Sequence, residues 1–384
     1  MRIGIDARFL GPAGKGLGRY SFKLVTELEK LDDEHEYFIF VRAHNYDAYV
    51  PANPRFHKVL ADVPWYTVNE QVRFARILYE YKLDLVHFLH FNVPILYRRP
   101  YIVTVHDLIL LEYPTRKASP FGTLLYWGKH FAYRLVIQNA VVTAKQVITI
   151  SNFTKHVIER RLKTPAPKIR RIYVGVDDHP FPPANTEEVA EHVPEIGAAP
   201  YLLYVGNAYP HKNVEGLVRV FSRLLKDARY QNWKLVLVGK EDYFFQRIRE
   251  LVKELEISEN VVFTGFVPDT ILGELYQNCR LYVFPSLYEG FGLPPLEALA
   301  SGAPIFISDK TSLPEVCGEV AEYFSPDDEG EWLARLKEVL ENLDAIRDSQ
   351  QEQAPRLLAQ YSWRDMAKAT LTVYNEQRPP DSVV

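Results

Sequence analysis

The sequence predicts two α/β domains in tandem, each a mostly parallel sheet wound by helices on both faces, and three observations carry that prediction. Its 384 residues exceed what one hydrophobic core usually serves. Short β-type runs alternate with segments of helical spacing, in two separate series. Between the series lies "YVGVDDHPFPPANTEE", residues 173–188, rich in Pro, Asp and Gly, which reads as a linker. The expected boundaries are a first domain over 1–175 and a second over 176–360, followed by a helical segment over 361–378.

In the first series, "RIGIDA" is a short strand, "YSFKLVTELEKL" has helical spacing and "EYFIFV" returns to a strand. "LDLVHFL", "YIVTVHDL" and "QVITIS" are further strand-like runs. The second series runs from strand "PYLLYVGN" through helical "VEGLVRVFSRLLKD", strand "WKLVLVGK", helical "FQRIRELVKELE", strand "NVVFTGF" and helical "DTILGELYQNC". Strand "LYVFPS", the helix after "GLPP", strand "APIFIS" and two acidic helical segments complete it. Ligands of such sheets bind outside the carboxyl ends of the strands, so the chemistry is expected there, in a cleft between the two halves.

Composition narrows the class. The chain is 47% hydrophobic and 13% aromatic, ample for large cores. Cys279 and Cys317 have neither metal-ligand nor disulfide-framework spacing, which favours a reducing, cytoplasmic home. "MRIGIDARFL" places charges too early for a secretory leader, and charge breaks every apolar stretch well before 18 residues. The net charge of −4 hides an asymmetry: residues 1–180 hold 26 Lys and Arg against 17 Asp and Glu, the remainder 19 against 32. A basic half suits either an anionic partner or a solvated face. Nucleic acid is excluded, because the basic segments lack interleaved aromatics on one strand face and the acidic half repels phosphates.

The richest stretch is "SLYEGFGLPPLEALASGAPI", residues 286–305. It begins as the buried run "LYVFPS" ends, and "LEALASG" has the apolar pattern of a helix ending at Gly302. Proline is at home in a helix's first turn, where its missing N–H would be unbonded anyway. Gly290 and Gly292 allow a sharp turn and close approach to a ligand, and free amides at the helix start suit an anion. Glu297 is expected in the first turn, accepting hydrogen bonds from neutral groups such as a ribose diol, with Glu289 accepting from other hydroxyls. A glutamate pair also fits a glycosidase, yet a first-turn position beside an anion is a poor place to raise a pKa for acid work. Taken singly, each has a bland reading, a helix-dipole charge for Glu297 and a solvated loop residue for Glu289; the glycines and prolines around them favour the functional one.

Glu289-x7-Glu297 within "EGFGLPPLEALASGAPI" resembles the donor-site signature of retaining glycosyltransferases of the GT-B architecture, the family-four group. The resemblance covers nearly the whole chain and is specific in its second half. It implies two Rossmann-like domains facing across a cleft, the first for an acceptor and the second for a nucleotide-sugar donor. It further implies that Glu289 contacts the transferred sugar, that Gly290, Phe291, Gly292 and Leu293 contribute backbone amides, and that Glu297 holds the nucleotide ribose.

Other stations agree. In "YVGNAYPHKNVEGL", Asn213 is a natural N-cap, and Val214, Leu217, Val218, Phe221, Leu224 and Leu225 form an apolar helical stripe. Lys212 thus precedes a helix start as a cation for the diphosphate. Asn207 joins the donor-binding set where relatives often carry Arg. "GPAGKGLGRY" matches neither a Walker motif nor the dinucleotide fingerprint; the resemblance makes it the loop where Gly16 approaches the donor phosphate and Arg19 starts the first long helix. His106, in "TVHDLILLEYP", takes from the resemblance a contact to the donor sugar near its anomeric carbon, with Asp107 orienting local backbone. His87 and His90 are weaker, acceptor-side candidates. Backbone around Phe266 and Val267 is expected to meet the base, and Ser151 to cap a helix. By resemblance, 361–378 crosses back onto the first domain.

The resulting expectation is a hexosyltransferase with His106, Lys212 and Glu289 as catalytic residues, without cofactor or metal. The donor is a nucleoside-diphosphate sugar, GDP-mannose being favoured by similarity to bacterial mannosyltransferases of surface-polysaccharide assembly. The acceptor is a glycan or a lipid-linked sugar, met at the inner face of an anionic membrane. A nucleotide-sugar epimerase of the same architecture and a non-catalytic nucleotide-sugar-binding subunit remain open alternatives, separable by donor turnover with and without acceptor.

Overall fold

The alternation condenses into two all-parallel sheets. The computed structural model describes residues 1–11, 15–113, 123–177, 180–182 and 186–378. The chain divides into two units, Met1–Gly175 with Tyr361–Val384, and Val176–Gln360.

The first unit contains β1 (Arg2–Asp6), α1 (Lys15–Leu31), β2 (Glu36–Val41), β3 (Phe56–Leu60), α2 (Ala75–Glu80), β4 (Leu85–Phe88), β5 (Tyr101–Val105), α3 (Ile109–Glu112), α4 (Thr123–Thr143), β6 (Gln146–Thr149), α5 (Asn152–Leu162) and β7 (Ile169–Arg171). Its sheet order is β3-β2-β1-β4-β5-β6-β7. The second unit contains α6 (Thr186–His192), β8 (Tyr201–Val205), α7 (Val214–Leu224), β9 (Lys234–Val238), α8 (Tyr243–Glu254), β10 (Val261–Gly265), α9 (Asp269–Asn278), β11 (Leu281–Phe284), α10 (Leu293–Ala300), β12 (Ile305–Ser308), α11 (Leu313–Cys317), β13 (Glu322–Phe324), α12 (Glu329–Glu341) and α13 (Leu343–Leu358), in sheet order β10-β9-β8-β11-β12-β13. The last helix, α14 (Trp363–Glu376), belongs to the first unit.

Central strands such as β5 and β11 are buried along their whole length because helices cover both faces of the sheet, which is why they read as unbroken apolar runs. In each unit the chain turns from one half of the sheet to the other between two neighbouring strands, β1 and β4 in the first, β8 and β11 in the second. Loops leaving the carboxyl ends of these pairs diverge and leave a crevice.

Helix α14 is capped by Ser362, whose Oγ accepts the Asp365 N–H at 3.2 Å, and it packs on α1. Its Tyr374 hydroxyl reaches His87 Nδ1 at 2.7 Å, and Arg170 pairs with Glu376 at 2.8 Å. The two places where the chain leaves and re-enters the first unit are pinned together within it. Tyr173 meets Tyr361 edge-on, centroids 5.4 Å apart, and a Cβ on Gly175 would lie 2.3 Å from the Trp363 backbone nitrogen.

That last contact yields a test. Gly175→Ala forces backbone or ring to shift, at a cost of about 1–3 kcal/mol typical of overpacking. The urea midpoint of the first unit should fall accordingly in a fluorescence melt; an unchanged midpoint contradicts the packing described.

Candidate functional site

In the second unit the sheet presents three loops side by side, after β8, β11 and β12. The first leaves β8 through Gly206 and Asn207, whose carbonyl accepts the Tyr204 hydroxyl at 2.6 Å. Asn207 Oδ1 in turn accepts the Tyr209 N–H at 3.3 Å. A single 3₁₀ turn, Pro210–Lys212, leads into α7. The N-cap expectation for Asn213 needs correction. The residue occupies the cap position in left-handed backbone, φ 53°, and its side chain makes no cap hydrogen bond, because the preceding 3₁₀ turn has to be reversed there.

The second loop carries the double proline. Leu287 N–H donates to the His211 carbonyl at 2.7 Å, tying the first loop to the second. Thr311 and Ser312, on the third loop, tie it from the other side. The Glu289 N–H donates to Thr311 Oγ1 at 3.0 Å, and Ser312 Oγ lies 3.1 Å from the Glu289 carbonyl and 2.9 Å from that of Phe291. Gly292 then takes φ 107° to start α10, and a Cβ there would press on Leu313 at 2.6 Å. Only glycine fits both conditions.

So held, the loops bring Lys212 Nζ to 2.5 Å from Glu289 Oε1, with the two side chains 14% and 10% exposed. The ammonium also lies 5.4 Å above the ring centre of Phe284, at the end of β11. Beside it, burial and the Lys212 charge lower His211 to about 4. The imidazole is therefore neutral at physiological pH, and the ion pair is the local charge.

The remaining donor-side residues lie around this pair. Gly290, Phe291 and Gly292 are buried in the loop, and Leu293 opens α10. Glu297 corrects a second expectation: it is the fifth residue of α10, and no acidic residue occupies the first turn. The helix starts at Leu293, directly behind the left-handed Gly292, so both prolines fall inside the first turn and push Glu297 into the next. It stands on the Leu293 side of the helix and is half-buried. Phe266 and Val267 follow β10, which lies two strands from β8, so roughly 10 Å of sheet separates them from Lys212. Phe266 is 83% exposed and Val267 buried.

In the first unit, His106 follows β5. Its Nε2 donates to the Leu89 carbonyl at 2.9 Å, which leaves the lone pair on Nδ1. Burial lowers it to about 4, and Tyr20 meets it edge-on at 4.8 Å. Asp107 Oδ1 accepts the Ile109 N–H at 3.0 Å, and Ser151 Oγ caps α5 by accepting the Thr154 N–H at 3.0 Å. His87 is a core residue, not an acceptor-side group: Tyr374 and Thr104 occupy its two ring nitrogens at 2.7 and 2.8 Å. Its ring is completely buried.

The glycine-rich segment also differs from expectation. Helix α1 begins at Lys15, so Gly16 is in its first turn and exposed, and Arg19 lies inside it. The close-fitting glycine is Gly18, where a Cβ would meet the Gly11 carbonyl at 2.0 Å. Sequence reasoning also missed a fully buried cluster. Arg8 grips Asp6 through Nε and an Nη at 2.7 and 2.8 Å, and Glu70 Oε1 at 2.7 Å. "IDAR", charges directly at the end of an apolar strand, was its available signal. Among the described residues, no three His, Cys, Asp or Glu side chains converge on a metal-sized site, and no helix is long and apolar enough to cross a membrane.

Comparison with known proteins follows the division into units. Residues 14–179 match the family model "Glycosyltransferase Family 4" and residues 186–356 the model "Glycosyl transferases group 1". The chain is 28% identical over 375 residues to the O-antigen chain mannosyltransferase B of Escherichia coli, covering 94% of this chain and 95% of that protein. Sucrose-phosphate synthase from Thermosynechococcus elongatus shares the fold, with TM-score 0.76, 20% identity and 98% of each chain covered. So does HepE of Anabaena in complex with UDP-glucose, with TM-score 0.70, 15% identity, and 98% and 100% covered.

The buried histidines make stability depend on pH. Unfolded, His87 and His106 titrate near 6.5; folded, burial lowers them to about 3 and about 4. Between those values the unfolded chain binds more protons, so this stabilisation is complete above pH 6.5 and is lost as pH falls towards 4. The first unit's urea midpoint should drop between pH 7.5 and 5; a flat profile contradicts neutral burial.

Proposed function

This chain belongs to the GT-B glycosyltransferases of the mannosyltransferase type, and on that premise we propose that it moves a hexose, mannose first among them, from a nucleoside-diphosphate sugar to a glycan or lipid-linked acceptor, with retention at the anomeric carbon. The observation that carries the reading is the Lys212–Glu289 pair, fixed by three loops at the carboxyl ends of β8, β11 and β12. Departure of a nucleoside diphosphate builds negative charge, and a cation positioned beforehand in a poorly solvated site stabilises it without reorganising. Lys212 supplies that charge on this reading, so a metal ion is not needed. Amides of Gly290 to Leu293 serve the same phosphates on this reading, with Asn207 beside them, and Gly16 keeps the donor-phosphate role that the family resemblance implies for it. Glu289 takes hydroxyls of the transferred sugar while orienting Lys212, and Glu297 takes the ribose. The base lies along Phe266 and Val267, at a separation that suits a nucleotide stretched across the sheet edge.

The bond between the anomeric carbon and the phosphate oxygen breaks as an acceptor oxygen attacks from the same side. The acceptor's proton passes to the departing phosphate oxygen. His106, neutral with its Nδ1 lone pair available, accepts a hydroxyl of the donor sugar and positions the ring. Synthesis of a surface polysaccharide and mannose as the sugar are supported by the 28% identity, over 94% of this chain, to an O-antigen mannosyltransferase. A nucleotide-sugar donor is supported by the shared fold with a protein crystallised with UDP-glucose.

The acceptor reading includes a membrane face. Helix α4 exposes Phe131, Leu135 and Val142, and a pocket of about 430 Å³ beside it is lined by Leu111 and Leu162 together with His130, Arg134 and Arg161. Arg161 is paired with Glu112. Apolar side chains between basic ones suit the headgroup region of an anionic bilayer.

Three measurements test the proposal. A thermal-shift panel of nucleoside diphosphates should single out GDP, because a ligand bound only to the folded form raises its apparent stability. Lys212→Ala should raise the transfer barrier by about 3–4 kcal/mol, the loss of one strong oxyanion donor; near-normal kcat in a folded variant contradicts its role. In co-sedimentation, binding should rise with the anionic fraction of phospholipid vesicles and weaken with salt, and insensitivity to lipid charge removes the membrane assignment.

A further inference from the structure

The first unit carries, at its own switch point, a group of side chains that the transfer chemistry does not use. Phe9 follows β1, Trp65 follows β3 and His90 follows β4. Phe9 stacks on Trp65 with centroids 4.1 Å apart and planes 9° from parallel. His90 lies 5.1 Å from Phe9 and 6.3 Å from Tyr66. Arg42 covers Trp65 at 4.8 Å. Phe9, Trp65 and His90 are only partly covered, and Tyr66 is 65% exposed.

Two features separate this patch from ordinary surface aromatics. The first is polar. Trp65 Nε1 and His90 Nδ1 are buried atoms that find no hydrogen-bond partner among the described residues. Two such atoms in one neighbourhood point to a partner outside the chain. The second is positional. Tyr66 adopts left-handed backbone, φ 58°, which a bulky residue rarely does. Its N–H is held by Glu70 Oε2 at 2.8 Å, while Glu70 Oε1 holds Arg8 and Arg8 donates to the Val63 carbonyl at 3.2 Å. A buried Arg between two carboxylates is a costly way to stabilise a fold, and an apolar trio would serve as well. What the charges do provide is a fixed course for the chain beyond β1 and β3, where Phe9 and then Trp65 and Tyr66 stand.

We propose that Phe9, Trp65, Tyr66 and His90 form a pyranose-binding platform that receives the terminal sugar of the acceptor. A pyranose offers C–H groups on its face for the aromatic rings and hydroxyls at its rim for Trp65 and His90. That chemistry matches an apolar floor with unmet polar atoms at its edge. The role as acceptor site rests on the transferase reading above; sugar binding by the platform does not.

The test uses the full chain and methyl α-D-mannopyranoside, followed by saturation-transfer NMR. Signal is expected on the ring protons, reduced at least about fivefold in Trp65→Ala and substantially restored in Trp65→Phe. His90→Gln, which replaces the ring without adding charge, should lower it as well, and decides the matter should Trp65→Ala fail to fold. The proposal is overturned if signal persists in folded Trp65→Ala or in His90→Gln, or if the wild type gives none with methyl mannoside, glucoside or galactoside. GDP thermal shift on the same sample separates the two readings. Sugar signal without stabilisation by any nucleoside diphosphate defeats the transferase reading and leaves the platform standing. Stabilisation without sugar signal defeats the platform alone.

Discussion

The contact between Lys212 and Glu289 joins residues 77 positions apart, and most of the second unit's local structure is arranged so that it can form. Neither side chain could hold this position from a free loop. Lys212 ends a 3₁₀ turn that a left-handed Asn213 reverses, and Glu289 is fastened by its own N–H and carbonyl to Thr311 and Ser312. The hydrogen bond from Leu287 to His211 closes the circuit between the two loops. With both side chains mostly out of water, loss of either would strand a charge in a poorly solvated place. The pair is thus a reason for the loops to be ordered as well as a product of that order. On the proposed reading, the phosphate meets a cation that has already given up most of its water.

How much of this could be read from residues alone depends on how local the cause was. The central strands were legible because burial on both faces makes them continuous apolar runs. The edge strands β3, β7 and β13 went unread: "FHKVL", "IRR" and "EYF" are short and charged, as sheet edges tend to be. Gly292 was legible as a turn glycine because its role is set by its own backbone. Glu297 was placed one turn too early, since the start of α10 depends on a left-handed residue whose conformation is fixed by packing against Leu313. Asn213 misled for the opposite reason. Its composition says cap, while the preceding turn uses the same residue for chain reversal. His87 looked like a cleft histidine until Tyr374, 287 residues on, supplied the partner that makes it core.

Burial has the same electrostatic consequence throughout, and it divides the histidines from the carboxylates. His87, His90, His106 and His211 are all pushed below their ordinary value, chiefly by desolvation. Neutral imidazole can accept and donate at once, which suits sugar hydroxyls and is of little use against a phosphate. Among the described residues, buried charge is found paired, as at Lys212 with Glu289, at Arg8 with Asp6 and Glu70, and at Asp32 beside His35. The first two of these occupy comparable places, beside the strand pairs at which the two sheets change direction.

That equivalence of position with difference of chemistry is the strongest physical argument for assigning separate ligands to the two units. A parallel sheet of this topology offers a crevice wherever its connections diverge, whatever the sequence. What the crevice binds is decided by which groups reach it with unmet valences. In the second unit these are a cation and a helix start, both suited to an anion. In the first, the Arg8 cluster satisfies its own charges internally and presents aromatic faces and single neutral donors and acceptors above them. That aromatic surface suits a ring of C–H groups edged with hydroxyls better than it suits a diphosphate. The first unit's crevice is therefore better matched to the sugar that receives than to the nucleotide that leaves.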